Sequence, residues 1–110
     1  MATRVYELMV IVDQDVDDAT GKGLIQRVKE MIEEGGGSVP TVDHWGRRRF
    51  AYPINRKHEG VYSVLEIVTD APNLDDVDRF LRLADEVVRH KLIRLPDSEA
   101  VRRGLLSGAG

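Results

Sequence analysis

Residues 38–68 read SVPTVDHWGRRRFAYPINRKHEGVYSVLEIV. Two runs rich in branched and aromatic side chains, Ser38 to Ile54 and Val61 to Val68, flank a polar break from Asn55 to Gly60. Such runs favour strands and the break favours a turn, so the middle of the chain predicts a hairpin. Pro40 and Pro53 place its first strand at a sheet edge, because proline cannot donate to a ladder, and Gly46 is a candidate bulge.

Upstream, Tyr6 to Val12 (YELMVIV) is apolar on both faces, as a central strand would be. Asp13 to Asp18 (DQDVDD) then supplies an N-cap and acidic first-turn residues. Leu24, Val28, Met31 and Ile32 recur at helical spacing, and Gly35-Gly36-Gly37 ends that helix. Downstream, Pro72 and Asn73 open a second helix with Val77, Phe80, Leu81 and Ala84 on its buried stripe, and Val87 to Leu95 forms a fourth strand. The order strand, helix, strand, strand, helix, strand predicts an α+β, ferredoxin-like (split βαβ) fold: a four-stranded antiparallel sheet with two helices on one face. Right-handed crossovers put both helices on the same side and leave the other sheet face open. Residues 1–95 make up this domain. Residues 96–110 are polar, glycine-rich and aperiodic, and are expected to form a flexible C-terminal tail.

A chain of 110 residues with 42% hydrophobic and 32% charged content is an ordinary single globular domain. It has no cysteine, so thiolate metal sites, disulfides and thiol nucleophiles are excluded. The apolar run Leu8 to Val12 is too short for a membrane span or a secretory signal, which predicts a cytoplasmic protein. The net charge of −3 conceals an alternation along the chain. Residues 44–60 carry Arg47, Arg48, Arg49, Arg56 and Lys57 against Glu59 alone, and residues 89–110 are again basic, whereas the segments between are acidic.

Catalytic patterns are missing. His44, His58 and His90 lack ligand spacing, which predicts no metal and no cofactor. The DQDVDD run lacks the glycine and distal glutamate of a calcium loop, so helix capping accounts for it. The three glycines follow a helix, so they cannot cradle a phosphate at its start. The chain reads as a non-enzyme with no small-molecule substrate.

The arginines read differently. On a strand, Arg47 and Arg49 project to one face and Arg48 to the other. A charged edge resisting aggregation is the plainer account of such a run. Against it stand Arg56 and Lys57, the aromatics Trp45, Phe50 and Tyr52, and the second basic strand with Arg89, Lys91 and Arg94. If Leu92 faces the helices, Arg89 and Lys91 face the open side. Guanidinium forks suit phosphate, so Arg47, Arg48, Arg49, Arg56, Lys57, Arg89, Lys91 and Arg94 are candidate RNA contacts. By alternation, Met9, Ile11, Tyr62 and Val64 form an apolar set on the open face, a candidate surface for a protein partner.

The run Gly46 to Ile54 (GRRRFAYPI), Tyr6-Glu7 at the first strand, the glycines before the second, and the closing DEVVRHKLIRL together resemble the bacterial small-subunit ribosomal protein S six family across residues 4–95. Phe50 and Asn55 depart from the usual leucine and basic residue. The resemblance implies a structural component of the small ribosomal subunit that binds small-subunit (16S) rRNA together with ribosomal protein S eighteen. The competing reading is a ferredoxin-like regulatory or small-molecule-binding module that self-associates through its sheet. Such a module would have no use for the arginine run.

Overall fold

Strand β1 (Arg4–Asp13) runs through the centre of the sheet. In this computed structural model, which describes residues 3–54 and 56–107, it is followed by α1 (Asp18–Glu34), β2 (Ser38–Ile54), β3 (Lys57–Thr69), α2 (Asp75–Leu83), β4 (Val87–Arg94) and α3 (Asp97–Arg102). The sheet order is β2-β3-β1-β4 with antiparallel pairings throughout, as the split βαβ reading requires. The proline-bearing β2 lies at one edge. Its expected bulge falls between His44 and Gly46, where Gly46 adopts φ 86.

Alternation along the strands assigns the two faces. Leu8, Val10 and Val12 of β1 and Leu65 and Ile67 of β3 pack against Leu24, Ile25, Val28 and Ile32 of α1 and Val77 and Leu81 of α2. Leu92 packs against the same core, so its neighbours Arg89 and Lys91 do face away from the helices. The α1 N-terminus is held as its sequence suggests: Asp17 Oδ1 accepts the Thr20 N–H at 2.7 Å. A second tie joins α2 to β4, where His90 Nε2 lies 2.7 Å from Asp78 Oδ1 and keeps that carboxyl below its ordinary range.

The C-terminal segment departs from the expected flexible tail. Residues 97–102 form α3, and Ala100 is fully buried on the open side of the sheet with Val5, Val68, Leu95, Leu105 and Leu106. The helix ends in a two-bond reversal: Leu105 N donates to Ala100 O at 2.8 Å and Gly104 N to Val101 O at 2.9 Å. That reversal needs a left-handed residue, and Gly104 supplies it at φ 77. One turn of helix gives no periodicity to read, which is why composition suggested a tail. The last residues of that expected tail, 108–110, lie outside the described residues.

Candidate nucleic-acid interface

The open face is a ladder of five cross-strand rows. At one end Val68 faces Val5, beneath α3. Next, Thr41, Glu66, Glu7 and Ile93 lie side by side across the four strands, followed by Asp43, Val64, Met9 and Lys91. Gly46, Tyr62, Ile11 and Arg89 form the next row, and Arg48, Gly60 and Asp13 the last. Polarity changes from row to row, so the face is not one apolar patch.

Glu7 and Glu66 sit directly opposite each other on adjacent strands, a like-charge pairing that costs stability unless neutralised. Arg103 neutralises it. Its Nη1 reaches Glu7 at 2.8 Å and Glu66 at 3.1 Å, while its Nε reaches Glu99 at 2.7 Å. These carboxylates raise the Arg103 pKa above its ordinary value, the bond to Glu7 contributing most. Glu99, bonded first to Arg102 and then to Arg103, is held down at about 2. This network did not emerge from the strand pattern. Its trace in the sequence is Pro96-Asp97 before Glu99-Ala100, with Gly104-Leu105 after, a start and stop signal for one helical turn.

Past this end the middle rows stay available. Met9, Val64 and Tyr62 are half-buried on the open face, as alternation predicted. Ile11 is not available, being 2% exposed. The reason is Gly60 on the neighbouring strand: a side chain there would collide with Ile11 and come within 3.0 Å of the Phe50 ring. With no Cβ in the way, Phe50 closes over Gly60 and Ile11, and its ring lies 6.3 Å from that of Tyr62. Ile11 therefore belongs to the interior, not to a partner surface.

Trp45 takes the exposed place instead. Its ring lies parallel to Tyr62 with centroids 6.2 Å apart, its Nε1 donates to Asp43 at 3.2 Å, and 45% of the residue remains exposed. Arg48 holds its guanidinium 5.7 Å from the Trp45 ring centre, a cation–π arrangement. Together with Asp43, Val64, Glu66 and Arg103, Trp45 lines a shallow groove of about 500 Å³ between α3 and the β2 edge.

The predicted cations divide by surroundings. On the open face, Arg48 lies toward one sheet edge and Arg89 and Lys91 toward the other, and among the described residues none of the three has an ion pair. Arg47 and Arg49 share the opposite face of β2, where Arg47 Nη1 pairs with Glu59 at 3.2 Å and Arg49 reaches the same carboxylate at 4.0 Å. Arg56 is exposed near the hairpin tip at φ 67. Lys57 is drawn inward between Asp13 and Asp15, at 3.3 and 3.0 Å. Arg94 lies at the far end with Asp97, 3.9 Å away.

No group of three or more metal-ligating side chains occurs among the described residues, and no helix among them is long and apolar enough to cross a membrane. A profile of the family described as Ribosomal protein S6 matches residues 5–94. The small ribosomal subunit protein bS6 of Carboxydothermus hydrogenoformans is 44% identical over 91 residues, spanning 83% of this chain and 95% of that protein. That of Beutenbergia cavernae is 44% identical over 95 residues, spanning 86% and 98%. The crystal structure of 30S ribosomal protein S6 from Thermotoga maritima superposes with a TM-score of 0.85 at 35% identity, covering 94% of this chain and 97% of that one. A chemotaxis kinase CheA P2 domain from the same organism reaches 0.56 at 11% identity, which shows only that the fold is shared. The similar proteins are structural ribosomal components rather than enzymes. This chain belongs to the ribosomal protein S6 family, cytoplasmic components of the bacterial small ribosomal subunit.

Proposed function

We propose that the chain binds small-subunit rRNA together with ribosomal protein S eighteen, using the open sheet face for the protein and the basic positions around it for RNA. The observation that supports this reading is the arrangement of Arg48, Arg89 and Lys91. Among the described residues they stand without carboxylate partners, around a half-buried strip of Met9, Val64 and Tyr62 with the exposed Trp45 beside it. An apolar strip with unpaired cations suits a protein contact bordered by phosphates. Arg47, Arg49 and Arg56 extend the basic surface along the hairpin, whereas Arg94 contributes at the margin. The residues 1–95 then form the RNA-binding unit, with α3 as a docked extension.

Net charge −3 opposes long-range attraction to phosphate, so the chain alone should bind RNA weakly and gain affinity with its partner. The test titrates an rRNA fragment with the chain, with S eighteen, and with both. Val64→Glu should leave melting nearly unchanged and remove the partner-dependent gain. Equal affinity with and without the partner would overturn the reading, as would an intact gain in Val64→Glu. Self-association of the chain through this face, seen by sedimentation, would favour the regulatory-module alternative.

A further inference from the structure

The β2–β3 hairpin outruns the sheet. The β1–β3 pairing ends where Asp13 faces Gly60, but the hairpin continues through Arg49 opposite Glu59 to Ile54 opposite Lys57. A two-stranded ribbon of this kind is marginally ordered in water by itself. Here the chain that leaves β1 holds its inner edge. The Glu59 N–H, with no β1 backbone beside it, donates to Gln14 Oε1 at 3.1 Å, so a side-chain amide extends the ladder one step. Arg47 Nη2 donates to the Gln14 carbonyl at 3.4 Å. Lys57 spends its ammonium on two carboxylates of the same turn, Asp13 and Asp15. The turn is itself fixed, because Asp15 N donates to Asp13 Oδ1 at 2.9 Å.

We propose that the turn Asp13–Asp15 is a brace that holds the basic hairpin at a set angle for RNA. Lys57, Gln14 and Asp15 are positioning residues of that brace, and Lys57 is not an RNA contact. The proposal rests on the RNA-binding reading above and refines it. Lys57 has its charge met inside the chain, and 32% of its side chain is exposed. The phosphate contacts on this arm fall to Arg48, Arg49 and Arg56. A pre-set arm binds more tightly than a loose one because less ordering is left to be done on binding.

The experiment uses the full chain with S eighteen and an rRNA fragment, comparing wild type, Lys57→Ala and Asp15→Ala across a salt series. Amide exchange at Glu59 is measured in the free chain. These ion pairs are partly exposed at the surface and contribute little to global stability, so both variants should melt close to wild type. The brace predicts that both weaken RNA binding roughly three- to tenfold and speed exchange at Glu59, while the slope of log K against log salt is unchanged in Lys57→Ala. Asp15→Ala carries the sharpest contrast, since it removes a negative charge and still should weaken binding. If Lys57 contacted phosphate, Asp15→Ala would tighten binding and Lys57→Ala would flatten the slope by roughly 0.7 to 0.9. Either result, or unchanged exchange at Glu59, would overturn the brace. Failure of the wild-type pair to bind RNA would count against the functional reading instead, with the exchange data still deciding the brace.

Discussion

Two arginines on one sheet face have opposite surroundings. Arg103 touches Glu7, Glu66 and Glu99, and 30% of its side chain remains exposed. Arg48 faces the Trp45 ring and, among the described residues, no carboxylate. The strands beneath them make the difference. Under α3, two glutamates stand opposite each other and require an internal counter-ion, and the sheet consumes one arginine to satisfy them. Near the hairpin Arg48 lies opposite Gly60 and beside the row of Tyr62 and Ile11, and no carboxylate among the described residues pairs with it. The same comparison corrects the charge blocks. The basic character of residues 89–110 is largely cancelled internally, at Arg94, Arg102 and Arg103, which leaves Arg89 and Lys91 as its outward part.

The largest expected effect is at the sealed end. Arg103→Ala leaves Glu7 and Glu66 opposed without a cation and removes the link to α3. We expect a loss of about 1–2 kcal/mol, from uncompensated like charges in a partly buried setting. For a domain of this size that lowers the melting midpoint by roughly 5–10 °C. Exchange at the Leu105 amide, bonded to Ala100, should rise more than exchange in α1. A variant that melts with wild type would erase the distinction between the two ends.

Much of this arrangement was legible in the sequence. The hairpin between two helix-flanked strands fixed the topology, and alternation placed Met9, Tyr62 and Val64 on the open face. Two things were hidden. Alternation reports which side a residue points to but not what covers that side, so Ile11 looked available until Gly60 brought Phe50 over it. Charge spacing likewise shows where cations lie but not which carboxylates the fold will deliver. Glu7 and Arg103 are 96 residues apart, and their pairing exists only once β1 and α3 meet. The neighbour-blind reading therefore grouped Lys57 with Arg48, although the structure gives them different surroundings.

The hairpin end should respond in the opposite sense to the sealed end. Arg48→Ala removes a cation that pairs with no carboxylate among the described residues, and a cation–π contact with an exposed ring. Stability should change by no more than about 0.5–1 kcal/mol. RNA binding in the presence of the partner should weaken, and the slope of log K against log salt should flatten by roughly 0.7 to 0.9 for one lost phosphate contact. A melting loss as large as that of Arg103→Ala, with an unchanged salt slope, would make Arg48 a structural residue and remove the contrast.

The smallest effect is an acid-dependent loosening confined to α3, and its sign follows from Glu99. Bonding to Arg102, and next to Arg103, holds this carboxyl at about 2 in the folded chain, below its ordinary 4.5. The folded state therefore binds the proton less readily than the unfolded one. The contribution of these bonds is fully present above pH 4.5 and is lost as pH falls toward 2. Nothing should change at this helix between neutral pH and 4.5. Below that, the Ala100 and Leu105 methyl resonances should shift together as α3 loosens. The core methyls of Leu65 and Val28 should follow only with global unfolding, because the apolar seat of α3 and its terminal hydrogen bonds persist when Glu99 is protonated. Glu99→Gln cannot ionise, so it should abolish the step and leave α3 slightly looser at neutral pH. A step centred at an ordinary carboxylate pH, or one that survives Glu99→Gln, would show that another acid governs this end of the sheet. The arginine cluster would then act through Glu7 and Glu66 alone.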